Sequence, residues 1–128
     1  MNEIVKKKIL VVDDDKTTVL LLAKILTEKG FEILKAYDGQ EALAVIKQTA
    51  PDLIIIDRMM PKMDGIKACA LMKADRRFYK IPLVMITASA EKSDEELSAK
   101  IGVDAFLNKP LNAADVMGKV EILINRPS

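Results

Sequence analysis

Three short apolar runs constrain this chain more than any other feature, because each stops on a polar group. Lys8-Ile9-Leu10-Val11-Val12 runs into Asp13, Leu53-Ile54-Ile55-Ile56 into Asp57, and Pro82-Leu83-Val84-Met85-Ile86 into Thr87. Such runs are continuous rather than alternating and rich in β-branched residues. Strands of a parallel sheet, buried on both faces, read this way. Two weaker strands fit at Phe31 to Ala36 and at Asp104 to Asn108.

Helical spacing fills the gaps. Asp15 to Lys29 carries Val19, Leu22, Ala23, Ile25 and Leu26 on one stripe, and Gly30 sits where a left-handed residue would end that helix. Asp38-Gly39-Gln40-Glu41 reads as a capping box, and Ser93-Asp94-Glu95-Glu96 as another before a helix ending at Gly102. Asp64 to Ala74 places Ile66, Cys69, Ala70 and Met72 along a helix, with Cys69 packed inside. Asn112 can cap a last helix to about Asn125, with Pro127 as a stop. The alternation βαβαβαβαβα implies a doubly wound α/β sheet with helices on both faces.

Size and composition narrow the function. A chain of 128 residues fits one domain, 1–128, with a core over about 7–124. Lys+Arg of 20 against Asp+Glu of 19 gives a net charge of +1, so direct nucleic-acid binding through a global basic field is not expected. The longest apolar runs hold four or five residues, whereas a membrane span needs about 20. No targeting signal is apparent before the first strand, which makes the cytoplasm the expected location. One Cys cannot form an internal disulfide. The absence of His removes imidazole zinc ligation and any phospho-histidine of the chain's own.

Ligands of open parallel sheets bind beyond the carboxyl ends of the strands. Those ends hold Asp13-Asp14-Asp15, Asp57, Thr87-Ala88-Ser89 and Asn108-Lys109-Pro110. Each has an ordinary reading. Asp15 is equally a helix N-cap, Thr87 a packing or turn residue, and Lys109 a solvated charge. Taken together they suggest one pocket. Clustered carboxylates repel unless a cation lies among them. Hard oxygen ligands suit Mg²⁺, which shares phosphate oxygens readily, and a Lys and a hydroxyl opposite would hold an oxyanion.

These residues resemble the receiver domain of two-component response regulators. The matching pieces are Val11-Val12-Asp13-Asp14-Asp15, Asp57 to Gly65, Ile86-Thr87-Ala88 and Phe106-Leu107-Asn108-Lys109-Pro110, in order over about Lys7 to Ile124. The resemblance implies a three-layer flavodoxin-like (βα)5 fold of strand order 2-1-3-4-5. It implies that Asp57 accepts a phosphoryl group from the phospho-histidine of a sensor kinase or histidine phosphotransfer protein. It implies Mg²⁺ (Mn²⁺ as a substitute) on Asp14, Asp57 and the backbone carbonyl of Met59, with Asp13 acting through water. Thr87 and Lys109 would contact the phosphoryl oxygens, Ala88 would leave room, and Lys109–Pro110 would be cis, aiming Lys109 inward. Thr87 and the aromatic Phe106 would form the switch, although Phe106 lacks the hydroxyl of the Tyr frequent at that position.

Further expectations follow. Met59 and Ser89 flank the path of an attacking water, and an apolar Met59 predicts slow self-dephosphorylation. The helix from Ser93 to Ile101 has few large apolar residues, so it is expected to be weakly anchored and bistable, switching the face of helix 4, strand 5 and helix 5. Leu20 and Leu21 either pack on a neighbouring helix or form a small apolar dock for the phosphodonor. The downstream effector is open, and the state is monomer or a weak phosphorylation-dependent dimer. Two rivals stand beside this signalling phosphoacceptor. Asp13-Asp14-Asp15-Lys16-Thr17 also reads as the D-x-D-x-T nucleophile motif of haloacid-dehalogenase-like phosphatases, with Asp13 attacking. A degenerate receiver acting only as a binding module is the other.

Overall fold

Five strands and five helices alternate along the chain: β1 (Lys8–Val12), α1 (Lys16–Glu28), β2 (Glu32–Ala36), α2 (Gly39–Thr49), β3 (Leu53–Asp57), α3 (Gly65–Lys73), β4 (Leu83–Thr87), α4 (Lys92–Ile101), β5 (Ala105–Asn108) and α5 (Ala113–Ile124). The structure is a computed structural model that describes residues 5–88 and 92–126, with side chains omitted for residues 92–95. All strand pairs are parallel, in the order β2-β1-β3-β4-β5. This is the doubly wound arrangement expected from the alternation.

Burial explains why three runs were conspicuous and two were weak. Every residue of β3 and β4 is buried, as are Ile9 to Val12 of β1. The edge strands β2 and β5 bury one residue each, Ala36 and Leu107. Two cores flank the sheet. Ile9, Val11, Ile55, Val84 and Ile86 meet α1 and α5 through Val19, Leu22, Leu26, Val116 and Val120. Leu10, Val12, Ile54, Ile56 and Met85 face the other layer, with Ala42 and Ile46 of α2 and Ala68, Cys69 and Met72 of α3.

Local chemistry sets the helix ends. The Asp38 carboxylate accepts from the N–H of Glu41, Asp64 from Lys67, and Asn112 from Asp115, so each caps an otherwise unpaired donor. Gly30 (φ 93°) and Gly102 (φ 104°) take the left-handed conformation after α1 and α4. The helix α4 begins at Lys92, ahead of the Ser93 expected as its cap, and the side chains of 93–95 lie outside those described. Among its described residues Ser98 is fully buried, Leu97 is 48% exposed and Ile101 packs partly buried against the core. Leu20 and Leu21 are exposed rather than packed on a neighbouring helix, because the inward stripe is already filled by Val19, Leu22 and Leu26.

Candidate functional site

Strand register assembles the site. Val12 pairs with Ile56, so Asp13 and Asp57, the next residues, sit side by side at the carboxyl edge. Asp57 pairs with Ile86, which puts Thr87 one step further out on β4. Thr87 pairs with Asn108, and its carbonyl accepts from the N–H of Lys109 at 3.0 Å. The Lys109–Pro110 bond is cis. The Lys109 ammonium lies 3.3 Å from Asp13 Oδ2 and 3.7 Å from Asp57 Oδ2.

Carboxyl oxygens of Asp13, Asp14 and Asp57 lie within 4.8 Å of one another. Asp13 and Asp57 are buried and Asp14 is exposed, so the cluster opens to solvent on one side. Asp13 Oδ1 accepts from the N–H of Asp15, whereas Asp13 Oδ2 is buried and, among the described residues, has the Lys109 ion pair but no well-formed hydrogen bond. Asp15 caps α1, accepting from Thr17 N–H and Thr18 Oγ1, so of its two readings the cap is the one seen.

The electrostatics follow from this crowding. Burial, and then the charge of Asp13, push the Asp57 carboxyl up to about 6, against the pull of Lys109 and the Met59 N–H. Burial also raises Asp13, opposed by the Asp15 N–H and by Lys109. Partial burial works against the Lys109 charge, but Asp57 and Asp13 outweigh it and hold its pKa above the usual value. Two ionised carboxylates and one ammonium leave excess negative charge in a partly dry place. A buried carboxylate oxygen without a hydrogen-bond donor and an all-oxygen donor set fit a hard divalent cation.

The remaining expected residues stand as follows. Met59 is 67% exposed, and Arg58 Nη1 lies 2.9 Å from its sulfur. Thr87 is buried at the strand end. Phe106 is partly buried against the core formed with α2 and α3. Lys119 of α5 donates to the Phe106 carbonyl. Ser89 lies outside the described residues.

Sequence reasoning missed what holds the loop after Asp57. A Cβ on Gly65 would collide with the Asp57 carbonyl oxygen and approach Arg58 Cα to 3.0 Å. Gly65 N–H donates to Arg58 O at 2.9 Å, closing the loop over residues 58–65. A Cβ on Gly39 would meet Met63 O at 2.8 Å, and Lys62 pairs with Asp38 at 3.5 Å. Two glycines that each open a helix directly after an Asp cap were the available signal.

A family model described as the response regulator receiver domain matches residues 9–121. The alkaline phosphatase synthesis transcriptional regulatory protein PhoP of Bacillus subtilis is 37% identical over 122 residues, covering 95% of this chain and 50% of that protein. The transcriptional regulatory protein CpxR of Klebsiella pneumoniae is 36% identical over 106 residues, 83% of this chain and 44% of that protein. The chain thus spans about half the length of the curated relatives it matches. Among solved structures, the receiver domain of a signal transduction histidine kinase from Syntrophus aciditrophicus superposes with a TM-score of 0.86 at 32% identity, covering 95% of both chains. The chemotaxis response regulator CheY4 of Vibrio cholerae gives 0.88 at 26% identity, covering 93% of this chain and 99% of that one.

Proposed function

From the premise that this chain belongs to the response regulator receiver domain family, we propose that Asp57 is its phosphoacceptor. The single observation that carries this is the buried Asp57 carboxylate standing 3.7 Å from the Lys109 ammonium and within 4.8 Å of carboxyl oxygens of Asp13 and Asp14. Asp57 Oδ attacks phosphorus, the P–N bond of a donor phospho-imidazole breaks, and its electron pair stays on the imidazole. Phosphoryl transfer of this kind asks for positioning and charge neutralisation. Lys109 supplies a fixed cation for the incoming oxygens, and the Thr87 hydroxyl closes on them. Asp14, Asp57 and the Met59 carbonyl would hold Mg²⁺ or Mn²⁺, with Asp13 acting through water, and the ion would neutralise phosphoryl charge.

A phosphoryl group adds about −1.5 to −2 charge and new acceptor oxygens at Asp57. Thr87 and Lys109 answer by moving, which pulls on β4, β5 and the sparsely anchored α4. Phe106 turns with Thr87 and remodels the face of α4, β5 and α5. The donor is a sensor histidine kinase or a histidine phosphotransfer protein, and the cytoplasm is the compartment this implies. No described helix is long and apolar enough to cross a membrane. The effector reads the altered face, within a longer regulator or as a separate protein. On this reading the chain is a signalling phosphoacceptor, not an enzyme acting on a separate substrate.

Titration with beryllofluoride, a mimic of the phosphoryl group, tests the switch. With Mg²⁺ the amide resonances of Thr87, Phe106 and Lys109 should shift at stoichiometric addition. EDTA or Lys109→Ala should abolish the response. A silent titration in Mg²⁺ contradicts the reading and favours a binding module that takes no phosphoryl group.

A further inference from the structure

A second cleft, of about 490 Å³, opens at the amino ends of the strands, on the edge of the sheet opposite Asp57. Its lining holds four cations, Lys7, Lys73, Lys80 and Arg126, and two acids, Asp52 and Asp104. Both acids are engaged in fixing strand starts. Asp52 Oδ2 accepts from Lys8 N–H at 2.8 Å, and Asp104 Oδ2 accepts from Leu83 N–H at 2.9 Å. Asp104 Oδ1 also lies 3.4 Å from Arg126 Nη1. Lys7 and Lys80 form none of the ion pairs found among the described residues.

Lys73 is held in place at this cleft. Its Nζ donates to Tyr79 O at 2.8 Å and Ile81 O at 3.0 Å. Its stem lies 3.2 Å from where a Cβ on Gly102 would stand. An ammonium has three donors, so one remains that no described acceptor takes. Burial pulls the Lys73 pKa below its usual value, so an anion nearby would favour the charged form. Beside these cations Tyr79 is 48% exposed as a residue, with Lys80 Nζ over its ring, 5.8 Å from the centroid. Pro51, Pro82 and Ile124 add apolar lining.

Net positive charge, an exposed aromatic face and apolar lining in one cleft suit a ligand with an anionic tail and a flat, weakly polar body. We infer that this cleft binds a nucleoside phosphate, the phosphates meeting Lys7, Lys80 and the free donor of Lys73 and the base lying on Tyr79. The site is independent of the Asp57 chemistry and lies at the edge of the sheet that ligands of this fold class do not ordinarily use. Through Lys73 and Gly102 it touches the end of α4.

The test is an NMR and calorimetric titration of the whole chain with ATP, GTP, pyrophosphate and a single-stranded oligonucleotide. EDTA throughout excludes metal-bridged binding at the Asp57 edge. The expected result is saturable binding of a nucleotide, with amide shifts at Tyr79, Ile81 and Ile124 and none at Asp57 or Thr87. Lys80→Glu should weaken it about tenfold, and Tyr79→Ala should weaken the nucleotide but not pyrophosphate, as expected if the ring carries the base. Both variants alter exposed side chains and, in a separate titration with Mg²⁺ and no EDTA, should keep the beryllofluoride response at Asp57. Absence of saturation, pyrophosphate binding as tightly as ATP, indifference to Tyr79→Ala, binding of the oligonucleotide alone, or shifts confined to the Asp57 edge would each overturn the inference.

Discussion

Lys109 reaches across the end of β4 to stand 3.7 Å from Asp57 Oδ2. The reach depends on the register that places Thr87 opposite Asn108 and on the Thr87 carbonyl that takes the Lys109 N–H. One cation therefore serves two buried carboxylates.

Removing that cation should be felt in stability as well as chemistry. Lys109→Met is expected to cost the metal-free protein about 1–3 kcal/mol at neutral pH, because uncompensated buried charge is expensive. The cost should shrink at mildly acid pH, where a proton can replace the ammonium. Thermal unfolding in EDTA at both pH values checks this, and an equal cost at each would count against the coupling.

The raised Asp57 pKa sets a pH dependence of definite sign. The folded state holds the proton up to about 6, the unfolded state only to 3.8. The folded chain therefore binds more protons in that window, and stability falls as pH rises through it. Asp57→Asn removes the effect, so its advantage over wild type in EDTA should grow from about pH 4 to just above pH 6 and then level off, at no more than about 3 kcal/mol. Saturating Mg²⁺ should narrow the gap. A gap that shrinks with rising pH has the wrong sign for this account.

Two glycines should respond oppositely to alanine. At Gly65 the new Cβ meets the Asp57 backbone, so Gly65→Ala should destabilise by about 1–3 kcal/mol and slow phosphorylation. At Gly118, exposed within α5 with nothing near its Cβ position, alanine should stabilise by about 0.5–1 kcal/mol and leave phosphorylation unchanged. Denaturant midpoints for the two variants decide it.

Met59 should set the lifetime of the phosphorylated state. Its exposed thioether lies against Arg58, two residues after Asp57, and is at most a weak acceptor for an attacking water. Wild type should lose phosphate over minutes or longer, and Met59→Asn should lose it several-fold faster. Phosphate release after removal of the donor measures both. A variant no faster than wild type would sink the idea.

Much of this was legible in the sequence because burial on both faces leaves so few choices. β1, β3 and β4 announced themselves as unbroken apolar runs, and their carboxyl ends named Asp13, Asp57 and Thr87 directly. The caps at Asp38 and Asn112 were legible because a short polar side chain before a periodic stretch has few other uses. What could not be read was tertiary. Leu20 and Leu21 differ from Leu22 only by angle on the helix, and the depth of the groove beneath decides their exposure. Gly65 stood in plain view, yet its role depends on how close α3 starts to the Asp57 carbonyl. The cleft around Lys73 joins loops distant in sequence, and no local pattern marks it.

The most direct measurement is the identity of the modified residue. After incubation with a small phosphodonor and Mg²⁺, borohydride reduction of the acyl phosphate followed by peptide mass mapping should label Asp57. The label should be absent in EDTA and in Asp57→Asn, and should persist in part in Asp13→Asn. Label on Asp13, or label that survives Asp57→Asn, would contradict the account and support the phosphatase-like alternative.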